Sequence, residues 1–378
     1  MTTPAVPSPA TWYSGPVLAG ALRADAANAV SFLSGPPLFM GLSTTGPSIP
    51  TGTWTEVALD GEAFDTWGGH NPPSVNYYCR APGWYLVSAF AQFNYAGGAT
   101  SNFTTAITRG LSGVATIMSG EEAGGGTAAG NAPALSAADL VPLAITTGAS
   151  TDYVQLQVRQ DTGAAVSLVG TSYLTARWVG ALAGTAGLPV PANPAWPSPP
   201  AYVTSSFLNA NIRDTIRFLS YPPMFRGYAS TTIYTLSSQA FPAGSVIALD
   251  TITTNPGGYG GQATDNYSGW NWGNYSWVAP VAGLYSCYGQ VAVTNSATAY
   301  QLDAGFSVNG VIQWAKSSYQ AVTATGFPRS AIAVRKLRLN AGDAVSLAGN
   351  QNSGALLTIG GANTSACYTK LIIIWESA

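Results

Sequence analysis

Few residues of this chain could perform acid–base chemistry. His70 is the only histidine and lies in the segment Trp-Gly-Gly-His-Asn-Pro-Pro. A serine or cysteine nucleophile needs a neighbouring base, most often a histidine, so such a site would have to use this one ring. A single histidine in a loop is usually an ordinary polar residue. The sequence therefore predicts no catalytic residue and a protein that is not an enzyme.

Two groups of carboxylates are candidates for other chemistry. The pair Glu121–Glu122 lies just before a run of three glycines. This setting predicts a solvated loop rather than the fixed acid and base of a glycoside hydrolase. Asp60, Glu62 and Asp65 offer the oxygen ligands that calcium prefers. A structural turn is the interpretation we favour for this acidic segment, so no metal site is predicted and these three residues are weak candidates for one.

Residues 257–277 form the most unusual segment, in which aromatic side chains alternate with glycine, asparagine and aspartate. Flat aromatic faces stack on sugar rings while neighbouring polar groups bond the sugar hydroxyls. The competing interpretation is that the alternate aromatics, including Trp277, face a sandwich core or a subunit interface. The candidates for carbohydrate or receptor contact are Tyr259, Tyr267, Trp270, Trp272 and Tyr275.

Composition and charge exclude several classes of partner. The 14 basic and 16 acidic residues give a net charge of -2, without the basic run that nucleic-acid binding needs. No apolar run reaches the roughly 18 residues of a membrane span, and no glycine-rich phosphate motif indicates a nucleotide cofactor. Only 8% of the residues are charged, against roughly 25% in ordinary soluble proteins. This favours a protein that buries its surface against copies of itself or a larger particle.

The 378 residues are enough for two domains, and the sequence contains an internal duplication, in which the second half repeats landmarks of the first. Each copy carries a Trp, an amphipathic stretch and then Phe-Leu-Ser-x-Pro-Pro. Further landmarks recur in the same order: Leu59-Asp60 with Leu249-Asp250, Ala81–Tyr85 with Ala279–Tyr285, Leu135–Asp139 with Leu339–Asp343, and Tyr173–Trp178 with Tyr368–Trp375. A proline-rich stretch between the copies is typical of an extended linker. The sequence predicts a first domain over residues 1–180, a linker over 181–195 and a second domain over 196–378.

A short helix is predicted at the start of each copy, because apolar residues there recur at helical spacing. In the second copy this stripe consists of Leu208, Ile212, Ile216 and Leu219. The first copy has a weaker stripe of Leu18, Leu22, Val30 and Leu33. So narrow a stripe packs either on its own domain or on a neighbouring subunit. The four residues of the second copy are therefore candidates for an oligomer interface.

After each helix the apolar period changes to two, as in Tyr85–Phe93 and Tyr285–Val293. Runs of this kind, separated by Gly, Asn, Pro and Ser, indicate antiparallel sheets. The predicted fold class is all-β, with two tandem antiparallel jelly-roll β-sandwich domains, each preceded by a short α-helix.

The second copy resembles the complement globular-head and tumour-necrosis-factor-like jelly roll. The residues that carry the resemblance are Leu249-Asp250, Pro280–Tyr285, Val308–Gly310, Leu339–Asp343 and Asn352–Ala355. The first copy is looser, since Pro82-Gly83 is shortened and Ala138-Asp139 lacks the glycine. The helix followed by Phe-Leu-x-x-Pro-Pro resembles a segment of virion proteins from phages that infect actinobacteria. These resemblances imply self-association, as a homotrimer, and a minor tail or capsid-surface protein.

The expected function is that of a phage virion structural protein, a minor tail, adhesion or capsid-decoration module that attaches to other virion proteins and contacts host surface glycans. It would be assembled in the host cytoplasm, without a signal peptide, and would reside in the virion. No cofactor, nucleic acid or membrane insertion is expected. The alternatives are a lectin-like carbohydrate-binding module and a β-sandwich polysaccharide-degrading enzyme, which would turn over glycans by means of a carboxylate pair.

Overall fold

The structure is a computed structural model that describes most of the chain. The residues outside its description are 1–18, 96–100, 112–113, 126–133, 146–151, 183–211, 230–234, 240–242, 251–264, 294–300, 321–328 and 360–368. The predicted linker lies outside the described residues apart from Ala181 and Leu182.

The first repeat begins with helix α1 (Ala19–Ser34) and continues as a β-sandwich. Its strands are β1 (Leu38–Ser43), β2 (Ser48–Ile49), β3 (Thr55–Glu56), β4 (Gly61–Asp65), β5 (Asn76–Tyr78), β6 (Gly83–Asn94), β7 (Ser101–Leu111), β8 (Val114–Gly125), β9 (Ala134–Leu143), β10 (Tyr153–Gln160), β11 (Val166–Leu168) and β12 (Ser172–Gly180).

These strands form two antiparallel sheets. One has the order β2-β11-β6-β12-β1-β4, with β9 also paired to β6, and the other has the order β3-β10-β7-β8, with β5 paired to β10. Neighbours in a sheet are distant in sequence, as β1 and β12 are, so the chain crosses repeatedly between the sheets. This double Greek-key order is that of a jelly roll.

The second repeat begins with helix α2 (Asp214–Ser220) and has the same topology. Its strands are β13 (Met224–Tyr228), β14 (Thr235–Leu236), β15 (Ser245–Val246), β16 (Trp270–Asn271), β17 (Ser276–Val278), β18 (Gly283–Val293), β19 (Gln301–Val308), β20 (Val311–Gln320), β21 (Arg329–Leu339), β22 (Ala344–Gln351), β23 (Leu357–Thr358) and β24 (Lys370–Ser377).

The order β13-β24-β18-β21 repeats β1-β12-β6-β9, and β22-β19-β20 repeats β10-β7-β8. The predicted all-β class, with two antiparallel jelly rolls that each follow a short helix, is confirmed. Each sandwich has its own core, because successive side chains of a strand point to opposite faces and the inward set is apolar. Tyr85, Val87 and Ala89 of β6 are inward in the first core, and Tyr285, Cys287 and Val291 of β18 are inward in the second.

Each helix is attached to its own sandwich by one phenylalanine. Phe32 of α1 contacts the Trp178 ring edge-to-face, at 4.8 Å between centroids, and Phe218 of α2 contacts Trp375 in the same way at 4.8 Å. The predicted stripe of the first helix is wrong at Val30, which is 56% exposed while Phe32 is fully buried. The aromatic pocket, rather than aliphatic periodicity, decides which face of α1 is buried.

The candidate interface residues of the second helix have different environments. Ile216 is buried, Leu219 is 37% exposed, and Ile212 is half-buried in the π-helical turn before α2. Leu208 lies outside the described residues. The two helices contact each other.

Two correspondences inferred from the sequence are wrong. Asp139 lies within β9, whereas Asp343 lies in the turn before β22. The counterpart of Asp343 is Asp152, because their carbonyls accept equivalent hydrogen bonds, from the Ala279 amide at 2.8 Å and the Cys79 amide at 3.0 Å.

The turn before β6 is also not shortened. Tyr85 donates its hydroxyl to the Ala81 carbonyl as Tyr285 does to that of Val281, so both turns have the same length. The pair Glu121–Glu122, expected in a loop, lies in β8, where the long β7–β8 hairpin extends pairing as far as the glycines.

Candidate functional site

The most extensive contact outside the two cores joins the jelly rolls to each other. An edge of the first, formed by β9 with the ends of β6 and β12, packs on the outer face of the β13-β24-β18-β21 sheet of the second. The buried residues of this apolar cluster are Trp84, Ala138, Leu140 and Val179 from the first repeat and Met224, Tyr288, Ile332, Ile372 and Ile374 from the second. Removing such surface from water drives association at roughly 25 cal/mol per Å².

A buried group of charges lies within this contact. Asp139 of β9 accepts hydrogen bonds from Arg226 of β13, at 2.8 Å from Nε and 2.9 Å from Nη2. The Lys370 ammonium of β24 lies 3.9 Å from the same carboxylate. All three side chains are less than 5% exposed. The triad therefore aligns the edge of one repeat with the face of the other.

A second ion cluster lies at the rim of the contact. Glu376 accepts hydrogen bonds from Arg177 of the first repeat at 2.6 Å, from Ser286 at 2.7 Å and from Lys336 at 3.0 Å. Partial burial opposes ionisation of this carboxyl, but the three donors outweigh it and lower the pKa of Glu376 to about 2. The cluster holds the carboxylate charged at neutral pH.

Beside this cluster lies a cleft of about 280 Å³ that residues of both repeats line. Equivalent residues of the two repeats are among those that line it, namely Leu33 with Leu219, Pro36 with Pro222 and Trp178 with Trp375. Its walls are mostly apolar, so it offers contact area rather than a set of catalytic groups.

The aromatic segment folds in part into the β16–β17 hairpin. Trp270 stacks on Phe225 at 4.9 Å and 11°, and Trp277 is fully buried in the second core. Trp272, at the hairpin turn, is 54% exposed and meets Trp270 edge-on. The structure thus places one of these tryptophans at the surface and uses the other two for packing.

The remaining aromatic candidates are less exposed. Tyr275 is half-buried in the turn, with a φ of 51°, and Tyr267 is half-buried with its hydroxyl 3.5 Å from the Tyr221 carbonyl. Burial raises the pKa of Tyr267 to about 12, and the neighbouring Tyr221 adds to the effect. Tyr259 lies outside the described residues.

The acidic segment of the first repeat is used for turns. Asp60 accepts the amides of Thr44 and Thr45, and the Thr44 bond lowers its pKa against the opposing effect of burial. Asp65 accepts the His70 amide at 2.8 Å, and Glu62 contacts the His70 ring at 2.7 Å. In the part of the chain that the structure describes, no group of three or more His, Cys, Asp or Glu side chains is placed to hold a metal ion.

Sequence reasoning missed the charges at the boundary between the repeats. Asp139 and Arg226 interrupt largely apolar strands, and Lys370 begins one, Lys-Leu-Ile-Ile-Ile-Trp. In a chain with so few charged residues, a charge inside an otherwise buried strand was the available signal.

No protein-family model and no curated protein sequence matches the chain. Solved structures similar to part of it include one from zebrafish and one from mouse. The globular domain of zebrafish complement 1qA is 12% identical, with a TM-score of 0.28, over 38% of this chain and 97% of that one. Murine APRIL is 12% identical, with a TM-score of 0.29, over 37% and 98%. The jelly-roll assignment rests on the strand order described above. Neither described helix has the length and hydropathy to cross a membrane.

Proposed function

We propose that this chain is a non-enzymatic structural module of a phage particle, which self-associates through its jelly rolls and is mounted on other virion proteins. The observation that carries the proposal is the contact between the repeats. It has the buried apolar centre of an obligate subunit interface, and the charges of its two sides are complementary. A fold that binds its own repeat in this way is suited to assembly.

The low charge of the chain supports the same proposal. With 8% charged residues, the surface depends on burial in an assembly more than most soluble proteins do. The phage setting is supported by the resemblance of the helix and Phe-Leu-x-x-Pro-Pro segment to virion proteins, and three chains per assembly is the number that the jelly-roll resemblance implies.

Antibody labelling of intact phage particles by negative-stain electron microscopy tests the location. Label at the tail supports an adhesion role, and label over the head supports capsid decoration. Particles without label would overturn the virion proposal. Incubation with bacterial surface polysaccharides tests the absence of catalysis, since release of reducing ends would make the protein an enzyme.

Glycan binding is the second candidate function, and Trp272 favours it. The exposed indole lies between Asn271 and Asn274, which are also exposed. A flat apolar face next to amide groups fits a sugar ring and its hydroxyls. In a virion this hairpin would contact the host surface. In a protein that is not part of a virion, the same hairpin would serve a lectin-like module.

A further inference from the structure

The β16–β17 hairpin of the second repeat has a counterpart in the first repeat, in the turn that precedes β5. The Trp270 amide donates to Asp265 Oδ2 at 2.8 Å, and the His70 amide donates to Asp65 Oδ2 at the same distance. Strands β17 and β5 follow these anchors at the same spacing along the chain. The two turns therefore occupy equivalent places in the two jelly rolls.

Only the second of these turns carries an aromatic tip. Residues 271–275 read Asn-Trp-Gly-Asn-Tyr, whereas residues 71–75 read Asn-Pro-Pro-Ser-Val. Both repeats close the turn with the same anchors, so the jelly roll does not require an indole at this place. Trp272 is nonetheless 54% exposed. A large amphipathic ring at a position where the fold does not need one is a candidate for ligand contact.

The exposed indole is held in place from the core outwards. Phe225 is fully buried and stacks on Trp270 at 4.9 Å and 11°. Trp270 in turn meets Trp272 edge-on, at 6.1 Å between centroids and 88°. Because the middle ring is fixed against the core, the outer ring is presented in a defined orientation. A pre-organised ring binds a ligand with a smaller loss of side-chain entropy.

The two asparagines beside the ring offer hydrogen-bond donors to a ligand. Asn271 Oδ1 accepts the Gly273 amide at 2.8 Å, and Asn274 Oδ1 accepts the Ser276 hydroxyl at 2.6 Å. Both asparagines are exposed, and neither Nδ2 group has a hydrogen-bond partner among the residues that the structure describes. The side-chain oxygens are thus used within the hairpin, while the NH₂ groups remain for a ligand that accepts hydrogen bonds.

This set of donors favours a neutral carbonyl oxygen as the acceptor. Residues 266–279 contain no charged side chain, and carboxylates are matched best by the charged fork of an arginine. A sugar hydroxyl both donates and accepts, so two donors do not single it out, whereas a carbonyl oxygen only accepts. The acetamido group of an amino sugar supplies such an oxygen next to a pyranose face that can stack on an indole.

We propose that the tip of the β16–β17 hairpin binds N-acetylated amino sugars. The pyranose ring packs on Trp272, and the acetamido oxygen accepts a hydrogen bond from Nδ2 of Asn271 or Asn274. The first repeat has prolines in place of the indole and its neighbouring glycine, so each chain carries one such site. The inference rests on glycan binding, the second candidate function above, and names the class of sugar.

Titration of the full chain with a matched pair of trisaccharides tests the proposal. Tri-N-acetylchitotriose and cellotriose share ring and linkage and differ in the acetamido group. Saturation-transfer nuclear magnetic resonance detects each sugar on the protein. We expect the acetylated sugar to bind at least about tenfold more tightly, which corresponds to about 1.4 kcal/mol. Trp272→Ala should lose both sugars.

The double variant Asn271→Asp, Asn274→Asp tests the donors separately from the ring. Each aspartate keeps the oxygen that accepts a hydrogen bond within the hairpin and replaces the NH₂ group by a second acceptor. We expect the roughly tenfold preference for the acetylated sugar to disappear. Asn352→Asp is the matched control, because Asn352 is also exposed and its Oδ1 also accepts a backbone amide, that of Gln301 at 2.6 Å. This control should bind like the wild type, and circular dichroism verifies folding.

Several results would overturn the inference. If the wild type binds both sugars equally, or if Asn352→Asp weakens binding as much as the double variant, the tip asparagines do not recognise the acetamido group, and glycan binding survives. If trigalacturonate binds more tightly than the acetylated sugar, the acceptor is a carboxylate. If none of the three sugars binds up to about 10 mM, the inference fails, and a glycan array decides whether glycan binding fails with it.

Discussion

Asp139 and Arg226 form a two-point ion pair across the boundary between the jelly rolls, with N–O distances of 2.8 and 2.9 Å. Their side chains are 0% and 4% exposed. Charges withdrawn from water to this extent cost several kcal/mol each unless they are paired. The pair therefore favours one relative alignment of the two repeats, namely the one in which these buried groups meet.

Removal of the Asp139 carboxylate should lower the stability of the fold. Asp139→Ala leaves Arg226 and Lys370 buried without their counter-charge, and we expect the free energy of unfolding in urea to fall by about 3–5 kcal/mol. The triple variant Asp139→Leu, Arg226→Met, Lys370→Met should recover most of this loss, because well-packed apolar groups replace a buried ion cluster at little cost. A loss below about 1 kcal/mol for Asp139→Ala would show that the repeats do not depend on the triad.

Acid should weaken the rim of the same boundary. The folded-state pKa of Glu376 is about 2, below the roughly 4.3 of an unfolded glutamate. Its ionised form thus stabilises the fold, fully above about pH 4.5 and progressively less as the pH falls towards 2. We expect the unfolding free energies of wild type and Glu376→Gln to differ by a constant amount at neutral pH and to converge near pH 2. A difference that does not change with pH would contradict the assigned ion cluster.

Substitutions of Trp272 and Trp270 in the β16–β17 hairpin should affect glycan binding and stability separately. Trp272→Ala removes an exposed ring, so we expect unfolding to change by less than about 0.5 kcal/mol while binding on a glycan array is lost. Trp270→Ala removes the ring stacked on Phe225 and should cost about 2 kcal/mol. Val311→Ala, at another exposed apolar site, is the control for the array. Undiminished glycan binding by Trp272→Ala would remove this hairpin as the sugar site.

The leading helix should depend on its phenylalanine rather than on its aliphatic stripe. Phe32 is fully buried against Trp67 and Trp178, so Phe32→Ala should cost about 3–5 kcal/mol. Val30→Ala, at a site that is 56% exposed, should change stability by less than about 0.5 kcal/mol. Thermal unfolding of the two variants compares them directly, and equal losses would mean that the aliphatic stripe does face the sandwich.

The sandwiches themselves could be predicted from local patterns. Alternation such as that of β6 follows from the geometry of a strand, in which every second side chain faces the core. The duplication could be recognised in the sequence because Phe32 and Phe218 fill equivalent aromatic pockets in their own repeats. The prolines after them end each helix. These constraints act between residues that are close in sequence or repeated at a fixed spacing, so the amino-acid sequence alone is enough to detect them.

Register was harder to predict. Asp139 and Asp343 each lie four positions after a leucine and directly after two small residues, Ala-Ala or Ala-Gly. This short similarity led to the wrong alignment of Asp139 with Asp343. Hydrogen bonding separates them, since the carbonyls of Asp152 and Asp343 each receive the amide that precedes β6 or β18. A short motif defines a turn type, whereas its place in a sheet depends on the partner strand.

The amino-acid sequence by itself determined that this chain forms two all-β domains with leading helices, because period, turn residues and repeated anchors are local properties. Only the tertiary structure decided which charges meet and which tryptophan reaches solvent. Asp139 and Arg226 are 87 residues apart, and their pairing depends on an edge of one sandwich lying across the face of the other. The periodicity of the individual strands does not predict that arrangement, because it depends on how the surfaces of the two folded repeats pack together.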